Sequence, residues 1–153
     1  MTSDIQKDLL EILNKAIGKF NDIENYLLKN NLSERCICSK FAQYLDREIK
    51  ASSDYSEYEV DVEYNRGFDG KDNKPKKLYD KNAVVDLIVH KRGYDRFYGF
   101  DNLICIEMKK TNGNRGKKVI QKDRQRLRDL ASNEYGFCYK LGIMLIANIK
   151  NSD

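Results

Sequence analysis

The sequence predicts a mixed α/β domain in which helices cover a sheet, and three observations lead to this fold class. Apolar residues near the N-terminus recur at three- and four-residue spacing, which indicates amphipathic helices. Further along, two segments are apolar at almost every position, as is typical of strands covered on both faces. A basic helical segment precedes the last apolar strand, and strands joined by a crossover helix favour a mixed sheet flanked by helices.

The first 30 residues are predicted to form an N-terminal helical addition. Apolar side chains keep helical spacing over residues 4–29, where Gly18 could interrupt the helix. Asn30 and Asn31 end this pattern. A second helix is expected from an N-cap at Ser33 to about Lys50.

Four strands and a third helix are expected after these two helices. The strands, in chain order, are residues 58–64, 83–90, 103–106 and 141–147. The first of them alternates apolar and acidic residues, which indicates a half-buried strand. Residues 66–82 are expected to form a polar loop or hairpin extension, and residues 118–132 a helix. The chain, 1–153, is therefore read as a single domain with its core at 33–150.

Composition and charge exclude several classes of protein. With 41% hydrophobic and 34% charged residues, the chain has the balance of a soluble globular domain. No apolar segment approaches the roughly 18 residues that span a bilayer, and the N-terminus lacks the features of a signal peptide. A cytoplasmic protein is expected. Four cysteines with one histidine favour reduced thiols over a zinc cluster, with Cys105 and Cys138 inside apolar strands.

Acidic residues interrupt two of the apolar strands. Asp86 lies within the segment 83–89, and Glu107 directly follows the segment 103–106. An ionised carboxylate in such a place is costly to desolvate unless another group compensates for it. Lys109 lies two residues after Glu107, so both side chains are expected on one face of their strand. If the two strands are neighbours, the two carboxylates can share one hard cation.

Magnesium suits this arrangement, because it accepts one or two carboxylates and retains water ligands; manganese is the alternative ion. The backbone carbonyl of Met108, between Glu107 and Lys109, could be a further ligand. The metal would activate a water and stabilise charge on a phosphate. Lys109 could orient that water or neutralise the phosphate. The alternative is a pair of structural carboxylates that cap loops or bind basic side chains.

Asp86, separated by twenty residues from Glu107-Met108-Lys109, resembles the motif of the PD-(D/E)XK nuclease superfamily, which includes type II restriction enzymes and Holliday-junction resolvases. The predicted element order is similar to the αβββαβ core of that family over about 115 residues. Val85 stands where the family name has proline. The resemblance implies a restriction-endonuclease-like fold and a magnesium-dependent endo- or exonuclease that acts on DNA ahead of RNA.

Glu34 is a fourth candidate for the catalytic centre. The apolar stripe of its predicted helix consists of Ile37, Phe41, Tyr44, Leu45 and Ile49. At about 100° per residue, Glu34 lies in the middle of this stripe. This is similar to the acidic residue that many family members contribute to the metal site. The alternative is a first-turn glutamate that is favoured by the helix dipole.

Basic residues are concentrated between Lys109 and Arg128, where nine Lys or Arg occur with one acid, Asp123. Such a block indicates a polyanionic partner, although a basic helix face is often only solvated. The candidates for contact with nucleic acid are Lys110, Lys118, Lys122 and Gln125. Asp123 is expected within the buried stripe of the helix, where it would cap or fix the helix.

Two function classes remain open on the sequence. The first is the metal-dependent nuclease, with in-line attack of an activated water on the phosphodiester. The second is a catalytically silent module of the same fold that binds nucleic acid or a protein. The N-terminal helix could mediate formation of a homodimer, since two-fold symmetry suits a duplex.

Overall fold

The computed structural model describes residues 2–68, 73–79, 81–92, 101–110 and 117–147. Within these ranges the helices are α1 (Thr2–Ile23), α2 (Asn25–Lys29), α3 (Glu34–Ala51) and α4 (Lys117–Ala131). The strands are β1 (Glu59–Val62), β2 (Gly67–Phe68), β3 (Asn73–Lys74), β4 (Lys77–Leu78), β5 (Lys81–Asn82), β6 (Leu87–His90), β7 (Asn102–Lys110) and β8 (Leu141–Ala147). The predicted mixed α/β class is confirmed.

The main sheet has four strands in the order β1-β6-β7-β8. Strand β6 is antiparallel to both of its neighbours, β1 and β7, and β7 pairs in parallel with β8 through the crossover helix α4. Leu87 lies opposite Ile106, and Glu107 lies opposite Met144. Strand β7 is therefore an interior strand with neighbours on both sides. The sheet is mixed and flanked by helices, as the sequence predicts.

Alternate residues of β7 face different helices. Ile104, Ile106 and Met108 belong to the core that α1 and α3 share with the sheet. Cys105 belongs to a second core, which contains Leu127 of α4. Because side chains alternate across a strand, Glu107 and Lys109 face the α4 side with Cys105.

The interruption of the N-terminal helix lies at Glu24 and not at Gly18, so the expected position was wrong. Gly18 is inside α1, and nothing lies within 4 Å of the place where a Cβ would stand. Glu24 leaves helical geometry with φ −98° and ψ 26°. The hydroxyl of Tyr44 on α3 donates to Glu24 Oε1 at 2.7 Å. The tertiary contact with α3 is thus made at the break itself.

Two other boundaries differ from the prediction. Strand β6 begins at Leu87, so Asp86 precedes the strand instead of lying inside it. Cys138 lies between α4 and β8 with a φ of 51°, which is incompatible with a strand. The segment 66–82 contains the short pairs β2–β3 and β4–β5, in agreement with the hairpin alternative.

Helix α4 packs very closely on β8 at Gly142. A Cβ at this glycine would lie 2.9 Å from the backbone oxygen of Leu127 and 3.2 Å from its Cβ. A side chain here would therefore push the helix away from the sheet. None of the helices in the described ranges combines the length and apolar character that crossing a membrane requires.

Candidate functional site

The carboxylate of Asp86 is held by the backbone of the neighbouring strand. Asp86 Oδ2 accepts a hydrogen bond from the N–H of Met108 at 2.7 Å. The backbone oxygen of Asp86 accepts from the N–H of Glu63 at 3.0 Å and from Cys38 Sγ at 3.6 Å. The β6–β7 pairing ends at Leu87, so the Asp86 side chain takes the place of the next backbone hydrogen bond between these two strands.

The peptide groups of Met108 are turned towards Asp86. In a strand, the N–H and C=O of one residue bond to the same neighbour, so the Met108 carbonyl faces the same side as its N–H. The Met108 side chain lies in the opposite core, where it lines a groove of about 600 Å³ with Phe20 and Leu145. The Met108 carbonyl therefore points to the side of β7 on which Asp86 lies.

Glu107 is the most buried acid of the site, with 2% of its surface exposed. Arg126 Nη2 of α4 lies 2.5 Å from Glu107 Oε1. Burial raises the pKa of Glu107 to about 8; the Arg126 guanidinium opposes this rise, whereas Asp86 and Asp123 add to it. Asp86 Oδ2 accepts from the N–H of Met108, the residue after Glu107, and the Asp86 charge lies near enough to raise the pKa of Glu107. The structure therefore brings the two predicted carboxylates together.

Lys109 lies between two acids. Its Nζ is 3.4 Å from Asp123 Oδ2 and 3.9 Å from Glu107 Oε2. Asp123 Oδ1 also accepts a hydrogen bond from Arg126 Nη2 at 2.7 Å. We call Asp86, Glu107, Lys109, Asp123 and Arg126 the charge cluster. It contains three acids and two bases on the face of the sheet that α4 covers.

Glu34 lies at the end of β7, next to the residue that follows Lys109. Its Oε1 accepts from the backbone N–H of Lys110 at 3.4 Å. Ser33 caps α3 by accepting from the N–H of Cys36 at 3.1 Å, as the sequence predicts. Glu34 thus contacts the backbone of β7, and whether it acts as a metal ligand stays a prediction.

The four candidates for nucleic-acid contacts have different surroundings. Lys110 Nζ donates to Asn31 Oδ1 at 3.0 Å and to the Leu32 oxygen at 2.8 Å, so this lysine holds the loop before α3. Lys122 and Gln125 are exposed on α4, where Gln125 donates to Asp129 at 2.9 Å. The side chain of Lys118 lies outside the described residues. Among these candidates, Lys122 is the lysine whose side chain is both described and exposed.

The donor set fits a magnesium ion held by few protein groups. No cluster of three or more His, Cys, Asp or Glu suited to a metal is found among the described residues. Magnesium, however, can bind through one or two carboxylates and keep several waters. Asp86 and Glu107 supply two carboxylates, and the buried Glu107 Oε1 forms an ion pair with Arg126 without hydrogen-bond geometry. The Met108 carbonyl is a third oxygen on the same side.

Two residues of the site were missed from the sequence. Arg126 was counted only as a member of the basic block, although Asp123 three residues earlier is a helical neighbour that could pair with it. Cys38 lies four residues after Glu34 on the same helix face. Burial raises the pKa of Cys38 to about 12, and Asp86, Glu63 and Glu107 add to the rise.

A separate acid–base pair lies on β1 and β6. His90 Nε2 is 2.8 Å from Asp61 Oδ2, and Arg92 Nε donates to the same oxygen at 2.7 Å. Burial lowers the pKa of His90, although Asp61 opposes this. His90 ends β6 and is 3% exposed. Asp61 is half-buried between the His90 ring and the Arg92 guanidinium.

The chain matches no protein-family model, and no curated protein or solved structure is significantly similar to it. The candidate site is therefore defined by its own geometry.

Proposed function

We propose that this protein is a magnesium-dependent nuclease with a restriction-endonuclease-like core. It hydrolyses phosphodiester bonds in DNA, and RNA is the alternative substrate. The observation that carries the proposal is the hydrogen bond that holds Asp86 Oδ2 against Met108, the residue between Glu107 and the half-buried Lys109. When the short strands β2–β5 outside the main sheet are left out, the order α3-β1-β6-β7-α4-β8 also supports an αβββαβ core.

Each residue of the site has a chemical task in this proposal. Bound magnesium supplies an activated water and positive charge for the phosphate. Asp86 and Glu107 would hold the ion, with the Met108 carbonyl as a further oxygen. Lys109 can donate a hydrogen bond to the phosphate or to the attacking water, because its Nζ lies 3.9 Å from Glu107 Oε2.

Helix α4 supports a polyanionic substrate. Its exposed face carries Lys122, Arg124 and Arg128, while its buried face carries the cluster residues Asp123 and Arg126. Cations near a metal site attract the phosphate backbone without reading its sequence. The helix thus offers a surface that would lead a phosphate towards Lys109.

The test is a cleavage assay on duplex, single-stranded and branched DNA and on RNA, with magnesium and with EDTA. We expect metal-dependent cleavage by the wild type. Glu107→Ala should reduce it to background, and Lys109→Ala should reduce it about 10²-fold or more. Glu11→Ala and Lys15→Ala are matched controls, because both side chains are exposed on α1.

Two results would contradict the proposal. Equal activity of the wild type and both cluster variants would show that the cleavage comes from another source. Absence of cleavage on every substrate, with nucleic-acid binding retained, would favour the silent binding module.

A further inference from the structure

Arg126 occupies the oxygen of Glu107 that a metal ion would need. Its Nη2 lies 2.5 Å from Glu107 Oε1, but this contact lacks hydrogen-bond geometry. A magnesium ion on the same carboxylate would place two cations within about 5 Å of each other, given Mg–O distances near 2.1 Å. Both cations cannot be bound there without strong repulsion.

Arg126 also contacts Asp123, and this second contact is a hydrogen bond. The same Nη2 donates a hydrogen bond to Asp123 Oδ1 at 2.7 Å, one turn earlier on α4. Asp123 lies three residues away on the same helix, so it can accept from another N–H of the guanidinium when Nη2 turns away from Glu107. Asp123 therefore can anchor Arg126 when the contact with Glu107 is broken.

The Arg126 guanidinium also has a hydrogen-bond donor that could bind a ligand. Arg126 Nε is buried and has no hydrogen-bond partner within the described residues. Arginine presents five N–H donors in a planar fork that suits phosphate oxygens. About a third of the Arg126 side chain is exposed, in contrast to the 3% of Glu107, so it borders on solvent where a phosphate could arrive.

We propose that Arg126 is an exchangeable counter-ion: it holds the ionised form of Glu107 in the metal-free protein, leaves this acid when a divalent ion binds, and then binds the substrate phosphate. The phosphate step rests on the proposed nuclease function, whereas the exchange with the metal does not. In this scheme Arg126 is a positioning residue for Glu107 before loading and a phosphate ligand afterwards.

The first experiment measures Mn²⁺ and Mg²⁺ affinity by calorimetry on the full chain, without nucleic acid. Arg126→Gln removes the competing cation, so we expect binding to tighten about tenfold or more. Arg126→Lys keeps the positive charge but lacks the planar guanidinium, so its metal affinity should lie between those of the wild type and Arg126→Gln. Arg47→Gln is the control for net charge, since Arg47 is exposed on α3; it should change the affinity less than twofold. Urea unfolding establishes that each variant is folded.

Unchanged or weaker metal binding in Arg126→Gln would overturn the exchange, because it would mean that Arg126 only supports the position of Glu107. If Arg126→Gln does not fold, Arg126→Lys decides the question by the same measurement. Tighter metal binding in a protein that cleaves nothing would support the exchange while the nuclease proposal fails.

The second experiment measures the salt dependence of binding to a labelled DNA duplex, with Ca²⁺ and with EDTA. We expect Arg126→Gln to reduce the slope of log affinity against log salt by about 0.9 with Ca²⁺, as for one lost phosphate contact, and to leave it unchanged in EDTA. An equal reduction in both conditions would overturn the exchange, because Arg126 would then contact phosphate even without a divalent ion. No reduction in either, or no duplex binding by the wild type, would overturn the phosphate step.

Discussion

The backbone N–H of Met108 donates to Asp86 Oδ2 at 2.7 Å, so the residue between Glu107 and Lys109 fixes the acid that directly precedes the neighbouring strand β6. One peptide unit thereby links the positions of all three predicted site residues. The hydrogen bond replaces a sheet rung at the point where the β6–β7 pairing ends.

Replacing Asp86 should separate its structural role from its metal role. Asp86→Asn keeps an oxygen that can accept from Met108, so its stability should exceed that of Asp86→Ala by about 1–3 kcal/mol, the cost of leaving the N–H unpaired. Both variants should lose magnesium binding. Urea unfolding and calorimetry measure the two effects. Equal stability of the two variants would contradict the importance of this hydrogen bond.

The stability of the protein should depend on the ionisation of Glu107. Its pKa is raised from 4.5 to about 8, so the folded state favours the uncharged form. The stability that this form provides is complete below pH 4.5 and is lost as the pH rises to about 8. Glu107→Gln mimics the uncharged form and should become more stable than the wild type by about 1–4 kcal/mol between pH 5 and pH 9.

Thermal or urea unfolding in the absence of metal measures this difference at each pH. Glu11→Gln is the control, because Glu11 is exposed on α1 and its difference from the wild type should not change with pH. A Glu107→Gln difference that is constant from pH 5 to pH 9 would show that Glu107 is ionised throughout.

Magnesium binding should release a proton below pH 8. The ion binds the ionised carboxylate, whereas Glu107 is mainly protonated at lower pH because burial raises its pKa to about 8. The affinity should therefore increase by up to about tenfold per pH unit between pH 6 and 8 and level off above. Calorimetry in buffers of different ionisation enthalpy counts the released proton. A pH-independent affinity over this range would exclude Glu107 as the titrating ligand.

Gly142 should not tolerate a side chain, although the sequence indicates nothing more than a glycine within a predicted strand. A Cβ there would lie 2.9 Å from the Leu127 oxygen, and this backbone atom cannot move without shifting α4. We expect Gly142→Ala to cost about 1–3 kcal/mol of unfolding free energy. The matched control is Gly18→Ala in α1, where space is open and stability should rise by about 0.5–1 kcal/mol. Equal effects of the two substitutions in denaturant unfolding would refute the close contact.

The sequence predicted best those features that depend on local patterns. The strand 141–147 has the expected bounds, and Ser33 caps α3 as its residue type suggests. Glu107 and Lys109 share a face because strand periodicity allows no other result. Such features need no knowledge of distant residues.

The features that were missed depend on tertiary contacts. The break at Glu24 is accompanied by a bond from Tyr44, which is 20 residues away. Arg126 reaches Glu107 only because α4 crosses the sheet at one particular rotation, and periodicity alone does not give that rotation. The residue type of Arg126 indicated a solvated charge, while the structure places it against the most buried acid.

The interior position of β7 has a consequence for the dynamics of the site. Both Glu107 and Lys109 belong to a strand that is paired on each side and covered on each face. Amide protons in such a strand exchange with solvent only when a large part of the core opens. The Met108 amide, which bonds to Asp86, should thus exchange as slowly as those of Ile104 and Ile106. Local fluctuations that loosen loops would leave Glu107 and Lys109 in register, and these two side chains would lose their positions only when the domain unfolds as a whole.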